Sequence, residues 1–379
     1  MHLTRQGPWS MRKRVIVFLS VVQSIVFLSH WFVYETWTAF RTAPDRPGSS
    51  RLGFLFALLS VTFLTASLLA RFYSQLLVRL FYKASAVWLG FLNFFFLAAC
   101  CAWILYAVVR LLGLDWDRPS IASALFGAAI LVSTYGLLNS GRVRVKNITV
   151  KLPNLPAAWR GRVAALVTDM HLGHVRGYRF AERIVTILSR SGPDMVLIGG
   201  DLYDGTATDV RRLAEPWRQL PAPLGTYFVA GNHEEFAGPG EYFEAVKDSG
   251  IRVLNNEKVV VDGLQIVGVH HRDSVNPQRF RAILREANLD TSRASILLTH
   301  APNQLSIAAE EQIVLQLSGH THGGQFFPFT WITSRIYGPF VYGLKRLGNL
   351  LVYTSCGAGT WGPPIRMGTN PEIVLIRFD

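Results

Sequence analysis

Four apolar runs with almost no charge, Val15–Tyr34, Gly53–Ala70, Ala86–Val109 and Ile121–Leu138, restrict this chain more than any other feature. A helix rises about 1.5 Å per residue, so about 20 apolar residues cross the hydrocarbon core, with roughly 17 to 25 tolerated. All four runs have that length, and the core of a soluble protein does not offer four in succession. The expectation is a four-helix transmembrane region over residues 1–140, followed by a second domain over residues 141–379. Gln23 and His30 fall in the first run and are tolerable there if they face a bundle interior. Met11-Arg12-Lys13-Arg14 before an apolar run resembles a secretory signal. The run is too long for one, no small-residue cleavage motif closes it, and further spans follow, so it reads as a signal anchor.

Composition agrees. Half of the residues are hydrophobic and only 17% are charged, against about 25% in an ordinary soluble domain, which argues against disorder and against a wholly soluble enzyme. Cys100 and Cys101 are adjacent and Cys356 is remote, so neither a disulfide framework nor a cysteine zinc site is indicated. The net charge of +13 divides unevenly: residues 1–140 hold 12 Lys+Arg against 4 Asp+Glu, and residues 141–379 hold 26 against 21. That pattern suits basic loops flanking membrane spans and disfavours a nucleic-acid-binding face. Arg5, Arg12, Lys13 and Arg14, then Arg71, Arg79 and Lys83, then Arg142, Arg144, Lys146 and Lys151 fall on one side. Arg41, Arg46, Arg51, Arg110 and Arg118 fall on the other, with Asp45, Asp115 and Asp117. Positive-inside logic puts both termini in the cytoplasm, hence a multi-pass protein of the inner, cytoplasmic membrane with its second domain on the cytoplasmic side.

From about Val143 short β-rich runs alternate with amphipathic stretches. Val163–Thr168, Met195–Ile198, Thr226–Val229, Ile266–Val269, Ser295–Thr299, Val314–Leu317, Leu351–Thr354 and Ile373–Phe378 read as buried strands. Arg179–Ser191, Val210–Gln219, Glu241–Asp248 and Pro277–Ala287 read as helices, and the alternation implies sheets covered by helices.

Eight of the ten histidines fall between His171 and His322, mostly just after an expected strand. The runs are Thr168-Asp169-Met170-His171, Gly199-Gly200-Asp201-Leu202-Tyr203-Asp204, Gly231-Asn232-His233-Glu234, Thr299-His300-Ala301 and Gly319-His320-Thr321-His322-Gly323-Gly324-Gln325. Ends of neighbouring strands share one edge, so these side chains can meet in one crevice. Carboxylate and imidazole donors without thiolate suit Mn, Fe or Zn. Seven candidate ligands are too many for one ion and enough for two, and an aspartate can bridge a pair that clamps a phosphoryl centre.

The ordered set D-x-H, G-D-x-x-D, G-N-H-E, T-H and G-H-T-H resembles the calcineurin-like metallophosphoesterase superfamily, over roughly Arg162 to Asp379. The resemblance implies an α/β metallophosphoesterase domain of two packed β-sheets flanked by helices, with a dinuclear centre at the strand ends. It implies Asp169, His171 and His322 at the first metal, Asn232, His300 and His320 at the second, and Asp201 bridging. His233 is similar to the family's non-ligand histidine near the leaving oxygen, where an imidazole of pKa near 6.5 can donate a proton. Asp204 reads either as the carboxylate orienting that histidine or as a turn or capping residue. The implied nucleophile is a metal-bound hydroxide attacking in line.

Protein phosphatases of this superfamily carry Arg-Gly where this chain has Gly205-Thr206, which makes a phosphoprotein substrate less expected. His322-Gly323-Gly324-Gln325, Tyr342-Gly343, Ser355-Cys356-Gly357, Pro364-Ile365-Arg366 and Pro371-Glu372-Ile373 instead resemble a membrane-associated bacterial branch. The resemblance implies cleavage of a phosphodiester, pyrophosphate or phosphomonoester, extending to lipid-linked substrates such as UDP-diacylglucosamine. The alternatives are a phosphodiesterase for soluble nucleotides, and a membrane sensor or transporter with a regulatory metal-binding domain. Few ionisable residues lie in the spans, which disfavours a charged translocation path, and no protein partner is indicated. His174 reads as a substrate-phosphate contact or a solvated loop residue, and Arg366 as a bidentate phosphate partner or a surface ion pair. His270-His271-Arg272-Asp273 reads as structural and Cys356 as a small core residue. The aromatic stretch Phe326–Phe340 reads as an apolar lid reaching the bilayer or, in preference, as the packing of a long loop.

Overall fold

A computed structural model describes residues 8–41, 50–235 and 239–379; Arg5, Asp45 and Arg46 of the charge argument lie outside the described residues. Chain contacts divide it into a unit of residues 1–70 and 80–135 and a unit of residues 71–79 and 136–379.

Among the described residues the first unit is built from the greater part of four helices, α1 (Pro8–Arg41), α2 (Ser50–Phe72), α3 (Leu76–Leu111) and α4 (Arg118–Asn139), whose ends from Arg71, before Leu80 and from Gly136 belong to the second. All four are long and apolar enough to cross a membrane. They exceed the apolar runs at both ends, taking in charged residues such as Arg41, Arg51, Arg79 and Arg110. Large side chains such as Phe18, Phe54, Ile104 and Leu131 are exposed on them, as lipid-facing positions require. The polar residues turn inward: His30 is buried and accepts a hydrogen bond from Trp88 Nε1 at 2.8 Å, and Gln23 Nε2 donates to the Ser60 carbonyl at 3.0 Å. Trp103 Nε1 donates to Thr36 Oγ1 at 2.9 Å.

The second unit contains β1 (Arg144–Val150), β2 (Val163–Val167), α5 (Tyr178–Ser191), β3 (Met195–Ile198), α6 (Val210–Ala214), β4 (Thr226–Phe228), α7 (Pro239–Asp248) and β5 (Arg252–Val253). It continues with β6 (Glu257–Val261), β7 (Leu264–Val269), α8 (His271–Ser274), α9 (Pro277–Glu286), β8 (Ser295–Thr299), α10 (Leu305–Glu310) and β9 (Leu315–Ser318). It closes with α11 (Phe329–Tyr337), β10 (Gly343–Leu347), β11 (Leu350–Thr354) and β12 (Glu372–Phe378). Two six-stranded mixed sheets result, ordered β1-β12-β2-β3-β4-β5 and β10-β11-β9-β8-β7-β6.

Strand alternation builds three apolar layers. Leu166, Leu197 and Val229 from the first sheet meet Ile266, Ile296, Leu298 and Leu317 from the second. Ala165, Val167 and Ile198 face outward against Ile184 and Leu188 of α5. Val267, Val269 and Leu297 face outward against Phe280 and Ile283 of α9. Strands covered on both faces must be apolar throughout, so the central ones stand out in the sequence. Helix α5 buries Phe180, Ala181, Ile184, Val185 and Leu188, a stripe at helical spacing, and ends on Gly192 in the left-handed region at φ 58°.

Three elements differ from expectation. Val210–Gln219 is α-helical only to Ala214 and continues as a 3-10 turn over Glu215–Gln219, because Pro216 has no N–H to extend the ladder. Strand β1, read as the basic exit from the last span, pairs in parallel with β12 at the sheet edge. Phe326–Phe340 is not packed loop: it contains α11, none of whose residues is buried.

Candidate metal centre

Strands β2, β3 and β4 run parallel with Val167 beside Ile198 and Ile198 beside Phe228, and β8 and β9 are parallel neighbours in the other sheet. Their carboxyl ends carry the motifs. The chain turns sharply at three of them: Asp169, His171, Asp201, His320 and His322 all have φ between 49° and 70°. Residues with side chains rarely occupy that region, and each such residue costs about 1–3 kcal/mol unless its surroundings enforce it. Here they do. Asp169 N donates to the Gly200 carbonyl and His171 N to the Asp201 carbonyl, each at 3.0 Å. His320 N donates to Asp169 Oδ1 at 3.0 Å and His233 N to Asp201 Oδ1 at 2.9 Å. Approach is so close that a Cβ at Gly231 would collide with the Asp201 carboxylate, and one at Gly319 with that of Asp169.

The seven expected ligands converge. His171 Nε2 lies 3.0 Å from His322 Nε2, and His322 Nε2 lies 3.5 Å from Asp169 Oδ1. His300 Nε2 lies 3.1 Å from Asp201 Oδ2, 3.2 Å from Asn232 Oδ1 and 3.1 Å from His320 Nδ1. Asp201 Oδ2 is also 3.7 Å from His171 Nε2, between the two groups. Donor atoms of Asp169/His171/His322 and of Asp201/His300/His320 each lie within 4.8 Å of one another. Imidazole and carboxylate lone pairs facing one another in a buried space repel unless protons or cations sit among them, so this donor set fits two divalent ions. Orientation is also suited: His300 Nδ1 donates to the Gly199 carbonyl at 2.9 Å, which turns the Nε2 lone pair towards the cluster.

Electrostatics point the same way. Burial opposes charge on Asp201, but the neighbouring His300 charge, with His171 and His233, holds its carboxyl well below the usual range. Burial opposes charge on His300 too, yet the Asp201 carboxylate raises it to about 10. Burial lowers His171 and His322, and burial with the His300 charge lowers His320 to about 3. Without metal, then, a proton on His300 offsets Asp201, and an entering ion must displace it. The expected outcome is metal affinity that rises with pH between about 7 and 9, by up to about tenfold per unit for one proton released. Calorimetric titration in buffers of different ionisation enthalpy should register that proton, and a pH-independent affinity would contradict the arrangement.

The remaining expected residues behave differently. His233 Nδ1 faces the main-chain carbonyl of Asp204 at 3.1 Å, whereas the Asp204 carboxylate sits 3.6 Å from His171 Nδ1. Asp204 thus meets His233 through its backbone. Burial raises its carboxyl to about 7. His174 is buried and its Nε2 donates to the Tyr73 carbonyl in the α2–α3 connection at 3.0 Å, so it is not a solvated loop residue. Arg366 needs correction. It is fully buried, with Nη1 donating to the His322 carbonyl at 2.7 Å and Nη2 to the Cys356 and Gly359 carbonyls, each at 2.6 Å. Nη2 also stands 3.1 Å from His322 Nδ1. A guanidinium spent in this way neither pairs a substrate phosphate nor forms a surface ion pair; it fixes the loops carrying His322.

Two residues were under-read. Glu234 is fully buried and accepts from Asp201 N (3.0 Å) and Gly231 N (2.7 Å) at Oε2 and from Tyr203 N (3.0 Å) at Oε1. It thereby ties the loops after β3 and β4 together. His271, expected to be structural, has its ring 5.4 Å from that of His300 and 5.7 Å from that of His320; its neighbour His270 caps α8. A pair of histidines directly after the apolar run of β7 was the available signal. Glu234→Gln offers one acceptor oxygen where three N–H groups converge, so at least one faces an amide NH2. Leaving a buried donor unsatisfied costs about 1–3 kcal/mol, and a lower thermal midpoint together with weaker metal retention is the expected result.

The comparisons agree with this geometry. The calcineurin-like phosphoesterase family matches residues 163–324. An uncharacterised metallophosphoesterase of Aquifex aeolicus is 32% identical over 256 residues, which cover 66% of this chain and 97% of that one. One from Campylobacter jejuni is 34% identical over 238 residues, covering 62% of this chain and 63% of that one. A transmembrane protein with metallophosphoesterase domain from Danio rerio is 32% identical over 275 residues, 68% of this chain and 62% of that one. The chain belongs to the calcineurin-like metallophosphoesterase family, whose members use a dimetal centre, and joins that domain to a membrane region. It spans about three-fifths of the length of the first curated relatives it matches.

Proposed function

We propose that the protein is a membrane-anchored, dimetal-dependent phosphohydrolase that cleaves a phosphodiester or pyrophosphate bond of a lipid-linked substrate. The observation that carries this reading is the convergence of Asp169, His171, Asp201, Asn232, His300, His320 and His322 on one buried cluster, with His233 beside it. Asp169, His171 and His322 would hold one ion and Asn232, His300 and His320 the other, with the Asp201 carboxylate adjoining both groups. Bound there, two divalent ions supply Lewis acidity towards water and towards the phosphoryl oxygens.

The chain supplies the rest. The Asp204 carbonyl can only accept, so His233 carries a hydrogen on Nδ1 and its Nε2 is the atom that hands a proton to the leaving oxygen. Burial and the neighbouring His171 lower the His233 pKa, which makes its imidazolium a stronger acid. Glu234 and Arg366 hold the loops in place without reaching the reacting atoms. Gly205-Thr206 after Asp204 and the four apolar helices favour a lipid phosphoester over a phosphoprotein. The basic flanks support a catalytic domain on the cytoplasmic side of the cytoplasmic membrane.

The test compares hydrolysis of a UDP-linked diacyl sugar in mixed micelles with that of UDP-glucose and a cyclic nucleotide, by the full chain with Mn²⁺. A kcat/KM at least tenfold higher for the lipid is expected. Equal or better use of the soluble nucleotides would make the helices an anchor only, and a catalytic domain found outside the cytoplasm by a reporter fused after Asp379 would overturn the orientation.

A further inference from the structure

Helix α11 is the element of the phosphoesterase unit that folding in water explains least. Its nine residues, Phe-Thr-Trp-Ile-Thr-Ser-Arg-Ile-Tyr, include none that is buried. Phe329 is 48% exposed, Trp331 55%, Ile332 38% and Ile336 68%, with Phe327 just before them at 52%. Phe329, Ile332 and Ile336 share one helix face by spacing, and the Arg335 guanidinium lies 5.3 Å from the centre of the Trp331 ring. From Phe326 to Leu351 there is no Asp or Glu, while Arg335, Lys345 and Arg346 are all present. Exposed aromatic and aliphatic side chains interleaved with basic ones, and no acid, are the composition of a helix lying in a headgroup layer.

Position supports the same occupant. The last turn of α4, from Gly136, is part of this unit. Its Gly136 carbonyl accepts from Arg366 N at 2.9 Å, and Asn139 Nδ2 donates to the Arg366 and Thr369 carbonyls, each at 3.1 Å. The next residue, Met367, donates from N to the Gln325 carbonyl at 2.8 Å, and α11 begins four residues after Gln325. The end of an apolar span is therefore fastened, through two short links, to the base of α11. The other end of the helix touches the centre, with the Tyr337 ring 6.3 Å from that of His320. Gln325 also grips Trp361 by both main-chain groups, at 2.8 and 2.9 Å. That indole is 57% exposed, with its ring 6.3 Å from that of His233. The exposed side chains of α11 and the exposed Trp361 indole thus both hang on Gln325, which is linked through Met367 and Arg366 to the last turn of α4.

We propose that α11 seats in the headgroup layer of the bilayer spanned by the chain's own helices and so opens the metal centre to phosphoesters lying at headgroup depth. This deepens the lipid-substrate reading and rests on it for its catalytic consequence, but not for the seating itself.

The test uses the full chain in phosphatidylcholine/phosphatidylglycerol vesicles, with Cys100 and Cys101 replaced by Ser and an NBD fluorophore on Ile332→Cys. The control carries it on Val260→Cys, in β6 at the opposite edge of the sheet from β10. Blue-shifted emission at position 332, quenched at least twofold by lipids bearing a nitroxide on carbon 5, is expected, with neither effect at 260. Emission at 332 matching that at 260 overturns the proposal. So does a blue shift without nitroxide quenching, which would mean that a second copy covers the helix. In parallel, the Ile332→Glu/Ile336→Glu protein should lose at least tenfold in hydrolysis of a vesicle-borne phosphodiester while cleaving bis-p-nitrophenyl phosphate at the wild-type rate. Equal losses on both substrates would make α11 part of the centre's scaffold and overturn the proposal. If the wild type cleaves neither, the hydrolase reading fails, and the quenching still decides where α11 lies.

Discussion

Asp201→Asn protein, purified in detergent with divalent metal, should lose phosphodiester hydrolysis by about 10³-fold or more, on the scale of removing a principal electrostatic device from an active site. The argument is positional. Asp201 Oδ2 is 3.1 Å from His300 Nε2 and 3.7 Å from His171 Nε2, so it is the carboxylate adjoining both ligand groups. Its other oxygen accepts from His233 N at 2.9 Å, which sets the loop carrying the proton donor. Asparagine keeps the volume and removes the charge that stabilises a proton, or a metal, on His300. The loss should appear in kcat and in the metal retained after gel filtration. Full hydrolytic activity in this variant would mean that the dimetal reading is wrong.

His233→Ala should lower kcat by about 10²- to 10⁴-fold, the usual contribution of a positioned general acid, while metal content stays at the wild-type level, since the proposed ligand groups do not include His233 even though its ring nitrogen lies within 4.8 Å of donor atoms of His171 and Asp201. The size of the loss should depend on the leaving group. A p-nitrophenolate departs without a proton, so bis-p-nitrophenyl phosphate should suffer least and an alkyl diester most. Sign can be checked by pH. The proton donor acts in its protonated form, which is lost as pH rises through its pKa, and burial with the neighbouring His171 lowers that pKa. An alkaline limb of kcat/KM for the alkyl diester, present in the wild type and absent in His233→Ala, is therefore expected. Equal losses on both substrates with an unchanged limb would instead assign His233 a structural part.

What the sequence discloses follows from what each element is packed against. Met195–Ile198 and Ser295–Thr299 are covered on both faces, so all of their residues are buried and the ends of the runs mark the ends of the strands. Strands β6 and β10 are edges, with exposed Glu257 and Val260 on the one and exposed Leu344, Lys345 and Arg346 on the other, and pairing that depends on a partner strand leaves no continuous apolar run to read. The convergence of the candidate ligands was legible for a related reason: each follows a strand end, and parallel strands bring their carboxyl ends together. The surroundings of the cluster were not. Whether Asp204 meets His233 by carboxylate or carbonyl depends on one peptide's orientation. That Arg366 is fully buried depends on the last turn of α4 at Gly136 and the loops of His322, Cys356 and Gly359 closing over it. Glu234 carries no mark in the sequence beyond its place in Gly231-Asn232-His233-Glu234, because its partners are backbone N–H groups.

The measurement that bears most directly on the central claim is metal content and activity on the same sample. The full chain would be stripped with chelator in detergent, reloaded with Mn²⁺, Fe²⁺ or Zn²⁺, and assayed on bis-p-nitrophenyl phosphate and on a UDP-linked diacyl sugar while bound metal is counted. The account requires two ions per chain, hydrolysis abolished by stripping, and recovery that follows occupancy. Two ions bound with neither substrate cleaved would contradict it and make the cluster the regulatory element of a membrane sensor.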